Sequence, residues 1–372
     1  MNLRENVRAI LHYESFDHMP VVHFGYWPET LEKWCREGHL TAEEIENYWD
    51  GSPSDIRLAE KMGFDCGWQP TAWVDSALVP AFEAKVVERR PDGTRIVFNP
   101  DGVLMMEKEG IVSIPVEVGH TLVDRESWEK EYLPRMQWTD DRVSTAFLEK
   151  LAAEDAGRTI PQGLHVGSML GTIRNWIGVE GLSYLYADDP DLYEEIINTM
   201  GEMIYRCTAR ALEIYDGFDY LHYWEDICFK NGPLVIPDVF RELAGPHYRR
   251  ISQLAADHGI DIISLDCDGK IDTLVPVWVE NGVNTMFPIE VGTWDASIAP
   301  WREKYGRTVR GVGGMNKTVF AQDYAAVDRE IERLKPLMAL GGYIPCPDHR
   351  IPPDAIFENV QYYCDKLQSL RL

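Results

Sequence analysis

The chain reads as an α/β protein, a single (β/α)8 barrel of the TIM type spanning residues 1–372. Short apolar runs alternate with segments of 3.6-residue periodicity along most of the sequence, as strands alternate with helices in a barrel. Two of those runs, 261–269 (DIISLDCDG) and 341–351 (GGYIPCPDHRI), end in a burst of ionisable side chains. In a parallel barrel every strand's carboxyl end opens on one face, so such bursts meet around one pocket. No Gly-rich phosphate loop follows the first strand, which disfavours the rival, a doubly wound open sheet.

The elements follow in order. The start (MNLRENVRAILHYES) patterns as an amphipathic helix. A first strand is predicted over 19–26, launched by Pro20, then helices near 29–37, 42–49 and 54–62, and a second strand over 64–69. Between about 80 and 118, β-branched alternation is broken by two Asp-Gly turns and predicts an antiparallel meander. That insertion is expected to act as a lid or a dimer contact, and a homodimer is the expected assembly. Helices return at 125–133 and 143–155. Strands are then predicted over 161–167, 219–225, 261–267, 284–289, 308–313 and 342–346. The clearest helical periodicity lies at 189–215, 237–258, 323–339 and 353–369, with Pro190, Pro237 and Pro353 near helix starts.

Composition narrows the function classes. Lys and Arg total 36 against 61 Asp and Glu, a net charge of −25 that repels nucleic acid and anionic membranes. No apolar run is long enough to span a bilayer, and the start lacks the apolar core of a secretion signal. The seven cysteines are scattered without a CxxC pair, which argues against a disulfide framework or a zinc ribbon. A cytoplasmic enzyme is the expectation.

Candidate chemistry gathers at strand ends. Residues two apart on a strand share a face, so Asp266 and Asp268 point together while Cys267 points away. Such a pair can ligate a cation or hold a proton between like charges; it can also be an Asx turn capping the next helix. Glu225 and Asp226 end the strand before, with Glu225 the better placed by spacing, and Glu290 and Asp295 are weaker candidates. His349, in a proline-stiffened loop with Asp348 to orient it, suits a metal ligand or an acid–base group. Cys346 and Cys267 read best as small buried hydrophobes. The rings of Phe24, Tyr26, Trp27, Trp68 and Tyr343 could wall an apolar or aromatic substrate or simply pack the barrel. His23 falls on the opposite face from Phe24 and reads as a satisfied core histidine.

Four long stretches, WEDICFKNGPLVIP, LDCDGKIDTLVPVWVENGVNTMFPIEV, GVGGMNK and GGYIPCPDHRIPPDAIFENVQYYC, resemble the uroporphyrinogen decarboxylase superfamily, and the resemblance covers nearly the whole chain. True decarboxylases of that superfamily carry an Arg-Gln-Ala-Gly-Arg segment after the first strand. Here the corresponding HFGYWPETLEKW has no arginine, which is electrostatically wrong for a porphyrinogen polycarboxylate. The chain is more similar to the cobalamin-dependent methyltransferase branch. Its zinc ligands, a His-x-Cys pair and a later Cys, fall on Asp266, Asp268 and His349 of this sequence. Oxygen and nitrogen thus replace sulfur, which disfavours thiol substrates.

The resemblance implies a methyltransferase that moves a methyl group from a methoxy compound, such as an aromatic methyl ether, to the cobalt of a separate corrinoid protein. Zinc or another divalent ion held by Asp266, Asp268, His349 and Glu225 would activate the leaving oxygen; without a metal, His349, Asp266 or Glu225 would protonate it. The alternative is a metal-independent decarboxylase or lyase acting on a small carboxylic acid, with Lys317 and Arg350 as its available cations. A third reading is a barrel that binds a corrinoid or another small molecule without turnover.

Overall fold

The computed structural model describes residues 1–108 and 111–370. Its strands, in chain order, are β1 (Val22–His23), β2 (Cys66–Gly67), β3 (Ala72–Trp73), β4 (Lys85–Arg89), β5 (Thr94–Phe98), β6 (Val103–Lys108), β7 (Ile111–His120), β8 (Gly163–Gly167), β9 (Tyr220–Trp224), β10 (Cys228–Phe229), β11 (Gly232–Pro233), β12 (Ile263–Asp266), β13 (Thr285–Phe287), β14 (Arg310–Met315) and β15 (Tyr343–Pro347). Seven of them form one parallel sheet in the order β15-β14-β13-β12-β9-β8-β3. The first two, β1 and β2, form a separate parallel pair. That pair is tied to the β15 end of the sheet by a bridge between Tyr26 and Ile351, with the Ile351 amide donating to the Gly25 carbonyl at 2.9 Å.

Helices link the parallel strands and cover the sheet, and strands buried on both faces carry near-continuous apolar runs. Ile263, Ser264, Leu265 and Asp266 are all buried, so the one acid in that run ends the strand rather than interrupting it. Helix starts are chemically marked. Pro28, Pro53, Pro190 and Pro237 each occupy the first turn, where a missing N–H costs little. The N-terminal helix Leu3–Leu11 opens with an Asn2–Glu5 capping box and buries Val7, Ile10 and Leu11. Its Ile10 carbonyl accepts from the Gly342 amide just ahead of β15.

The insertion forms an antiparallel meander, β4-β5-β6-β7, whose tip at 109–110 lies outside the described residues. Some helices differ from expectation. The 42–49 segment is helical only over Ala42–Ile45, and 125–133 is a short turn, Arg125–Ser127, continued by a π-helical stretch. The 237–258 segment divides at Ala244, because Pro246 cannot donate back into the preceding turn. Pro353 lies ahead of the last helix, which begins at Phe357. A helix at Leu170–Asp188, with a break at Gly178 (φ 77°), stands where no clear periodicity pointed to one.

Candidate active site

Strands β9 and β12 lie side by side, with Trp224 opposite Asp266. The chain leaves both strands at that level, which sets Asp226, Asp266 and Asp268 together with one carboxylate oxygen each inside a 4.8 Å group. The loop after β15 supplies His349, whose Nε2 lies 3.2 Å from Asp268 Oδ2. Hydrogen bonds fix the cluster. The Asp268 amide donates to Asp226 Oδ1 at 3.0 Å, the Trp224 indole to Asp226 Oδ2 at 3.1 Å, and Gln69 Nε2 to Asp266 Oδ2 at 2.9 Å. Asp268 Oδ1 is buried without a hydrogen-bond partner among the described residues.

Like charges in a desolvated site favour the protonated form. Burial, then the neighbouring Asp226 and Asp268, push the Asp266 pKa well above the carboxylate range. Burial and Asp268 push Asp226 the same way. A metal-free cluster therefore retains a proton at a pH where isolated aspartates have lost theirs.

The aromatic residues have divided roles. Phe24 stacks on Phe287 at 4.7 Å and on His349 at 5.0 Å, and Trp27 stacks on the imidazole at 5.5 Å. These two rings hold the histidine. Trp68, Tyr26 and Tyr343 are buried and engage other partners. Trp68 stacks on Tyr220 and donates to Ser264, Tyr26 packs against His23, Trp34 and Tyr48, and the Tyr343 hydroxyl donates to the Gly313 carbonyl.

Glu225 stands apart from the three aspartates, contrary to its expected place in the ligand set. It is fully buried and accepts from the Met169 amide at 2.5 Å, the Gly171 amide at 3.0 Å and the Tyr248 hydroxyl at 2.6 Å. Burial raises its pKa to about 7. It anchors the start of the Leu170–Asp188 helix, and Asp226 takes the position beside the other two acids. Glu290 accepts from the Gly269 amide and from Thr293, bracing the loop after Asp268. Asp295 is exposed.

Asp348 does not orient His349. It accepts from the Val291 and Gly292 amides at 2.8 Å and pairs with Lys317 at 3.4 Å. Cys267 and Cys346 are buried. His23 is buried but unsatisfied: neither ring nitrogen has a hydrogen-bond partner among the described residues. Gln69 went unnoticed in the sequence, although it closes an apolar run (FDCGWQ) as the aspartates close theirs.

No protein-family model matches the chain, and no curated protein matches it either. Among solved structures it is similar to a methyltransferase from Methanosarcina mazei, at 15% identity and a TM-score of 0.62, over 99% of this chain and 98% of that one. It is also similar to a B12-independent methionine synthase from a Shewanella species, at 11% identity and a TM-score of 0.49, over 94% and 98%. The first likeness shows the fold, a TIM-barrel-like α/β architecture over 99% of the chain. The helices include none long and apolar enough to cross a membrane among the described residues.

Proposed function

We propose that the protein is a methyltransferase of the uroporphyrinogen decarboxylase superfamily, with β1 as the first strand and the interrupted run β2–β3 as the second of an eight-stranded barrel. It takes a methyl group from a methoxy compound, and the class that best fits the surrounding rings is the aromatic methyl ethers. The acceptor is the cobalt of a corrinoid on a separate protein that docks over the barrel mouth. The observation that carries this reading is the convergence of Asp226, Asp266, Asp268 and His349 from the carboxyl ends of β9, β12 and β15. The full-length likeness to a methyltransferase supports it.

In the reaction the ether C–O bond breaks while an electron pair from the acceptor forms the new bond to the methyl carbon. The oxygen keeps the C–O pair and needs a positive charge or a proton. The residues present fit a divalent cation. Three carboxylates approach one another, a histidine nitrogen lies beside them, and a buried oxygen of Asp268 has no partner. Asp226, Asp266, Asp268 and His349 would hold zinc or a harder divalent ion, which when bound supplies Lewis-acid stabilisation of the leaving oxygen. The chain's own acids supply the other route. The proton retained by the Asp226–Asp266 pair is available to the leaving oxygen, and the Phe24–Trp27 stack fixes the imidazole edge beside Asp268.

The rival, decarboxylation of a small acid, needs a free cation to hold the carboxylate. Lys317 is paired with Asp348, and Arg350 with Asp50 at 2.9 and 2.5 Å. Three clustered aspartates further disfavour an anionic substrate.

Two measurements test the proposal. Metal analysis by plasma mass spectrometry of protein purified without chelators should find stoichiometric divalent metal in the wild type and its loss in Asp266→Ala. Incubation with cob(I)alamin and a panel of methoxyarenes should give methylcobalamin by absorbance, slowed roughly 100- to 10,000-fold in His349→Ala. Carbon dioxide release from a small acid, with no methylcobalamin formed from any donor, would establish the rival.

A further inference from the structure

The parallel ladder lapses between β2 and β8. Cys66 and Gly67 pair only with β1, and at the head of β8 Gly163 pairs only with Tyr220 of β9. A cavity of about 720 Å³ lies in this gap, lined mainly by residues from the 50–71 and 151–163 segments. Its wall includes two exposed apolar side chains, Ile56 (51%) and Ile160 (48%). Its lining also includes Phe24, which stacks on His349, and Gln69, which donates to Asp266. The cavity is thus one residue away from the acidic cluster and opens at the side of the sheet.

Within it, His23 and Asp55 stand beside each other with their polar ends unmatched. Both are buried, at 1% and 4% exposure. Neither ring nitrogen of His23 has a hydrogen-bond partner, and neither does Asp55 Oδ1; the other Asp55 oxygen accepts from the Gly51 amide at 2.9 Å. His23 Nε2 lies 3.9 Å from Asp55 Oδ1, too far for a bond and close enough for one atom to reach both. Gly67 leaves the space between them: a Cβ there would sit 3.2 Å from His23 Cε1 and 3.8 Å from Asp55 Oδ2. Unsatisfied buried polar atoms cost stability, so a fold that keeps several in one cavity gains when a polar ligand binds there.

The chemistry of the pair selects the ligand. A histidine ring carries at least one N–H, which needs an acceptor, and Asp55 Oδ1 faces the same space. An ammonium ion could only donate. An anion would meet Asp50, Asp55, Glu60, Asp65 and Glu154 in the lining, against one cation, Arg158, already paired with Asp155 and Asp219. A hydroxyl both accepts and donates, and it adds no charge to a site whose burial already lowers the His23 pKa and raises that of Asp55.

We propose that this lateral cleft binds a small, mainly apolar molecule bearing one hydroxyl group, held at its polar end by His23 and Asp55. On the methyl-transfer reading, on which only this identification rests, the molecule is a methoxyphenol. It enters from the side and leaves the barrel mouth free for the methyl acceptor.

Calorimetric titration of the full-length protein with three probes tests this: 4-methylphenol, its hydroxyl-free isostere p-xylene, and 4-methylbenzylamine. The expected order places 4-methylphenol about ten-fold tighter than p-xylene, with the amine weakest. Gly67→Ala, which fills the space between the two side chains, should abolish binding of the phenol. Asp55→Asn, which can still accept from Gly51, should weaken it. Equal binding of phenol and xylene, tightest binding of the amine, or no binding at all overturns the proposal. So does phenol binding that survives Gly67→Ala but is lost in Asp268→Ala, since that would put the probe at the acidic cluster. The titrations contain no methyl acceptor, so their failure and a failure of methyl transfer are separate results.

Discussion

The two ends of the sheet are built differently. From β8 through β9, β12, β13 and β14 to β15 each strand pairs in parallel with the next, with one irregularity at His165–Gly167, whereas β1, β2 and β3 are two residues each and divide between two ladders. The acids of the candidate site, Asp226, Asp266 and Asp268, all come from the continuous part. The broken part supplies the rings of Phe24 and Trp27, the amide of Gln69 and the lateral cavity. Register explains the division. Asp266 is fixed opposite both Trp224 and Phe287, so three like charges can be kept close despite their repulsion. Where rungs are missing, nothing holds groups so closely, and the wall opens.

That contrast predicts unequal tolerance to the same small change. Gly313 in β14 has φ +132°, and a Cβ there would lie 1.7 Å from the Pro288 carbonyl oxygen. Gly313→Ala should therefore cost roughly 3–5 kcal/mol or prevent folding, as backbone cannot step aside. Gly67→Ala, whose new methyl meets only side-chain atoms, the nearest at 3.2 Å, should cost about 1–2 kcal/mol. Urea midpoints of the two variants measure the difference, and equal losses would erase the distinction.

A smaller effect sharpens it through protons. Glu225, Asp226 and Asp266 all have folded-state pKa values raised above their ordinary ones, Glu225 to about 7. The folded state therefore binds more protons than the unfolded chain across that interval. Stability from these groups is fully present below their ordinary pKa values and is lost as pH rises through the raised ones. Metal-free protein should melt at a lower temperature at pH 8 than at pH 5.5, and Glu225→Gln should flatten the slope. Glu225→Gln should also cost roughly 1–3 kcal/mol, because an amide group then faces one of three donors. A level melting profile in the wild type would contradict the raised values.

The smallest effect has the opposite sign. Asp266→Asn keeps an acceptor for Gln69 and removes the cost of ionising a carboxyl beside two others, a cost that enters only as pH rises through its raised pKa. At pH 8 it should stabilise the metal-free protein by about 1 kcal/mol, fading toward pH 5.5, while weakening metal retention, as read from parallel thermal melts and metal analysis. A variant no more stable than the wild type at pH 8 would contradict the raised value.

The strand series was legible because a buried parallel strand writes itself as an apolar run closed by a polar residue. Asp266, Asp268 and His349 were found that way. Glu225 and Asp226 were harder to tell apart because β9 ends at Trp224, and once the pleat ends two-residue alternation no longer orients a side chain. The helix at Leu170–Asp188 gave no one-sided stripe, since Leu170, Gly171, Ile173, Trp176, Ile177 and Gly178 are all buried. The lateral cavity left no trace because it depends on rungs that do not form. Nor did the buried, unmatched state of His23, since alternation gives the face and not the partner.

The stacking of Phe24 and Trp27 on His349 limits how that side chain can move. A ring stacked on two others resists tipping, and the freedom it keeps lies mostly within its own plane. Nε2 sits on the edge turned to Asp268. The imidazole therefore meets the acidic cluster as a thin blade, engaging a proton, an ion or an oxygen atom from its rim.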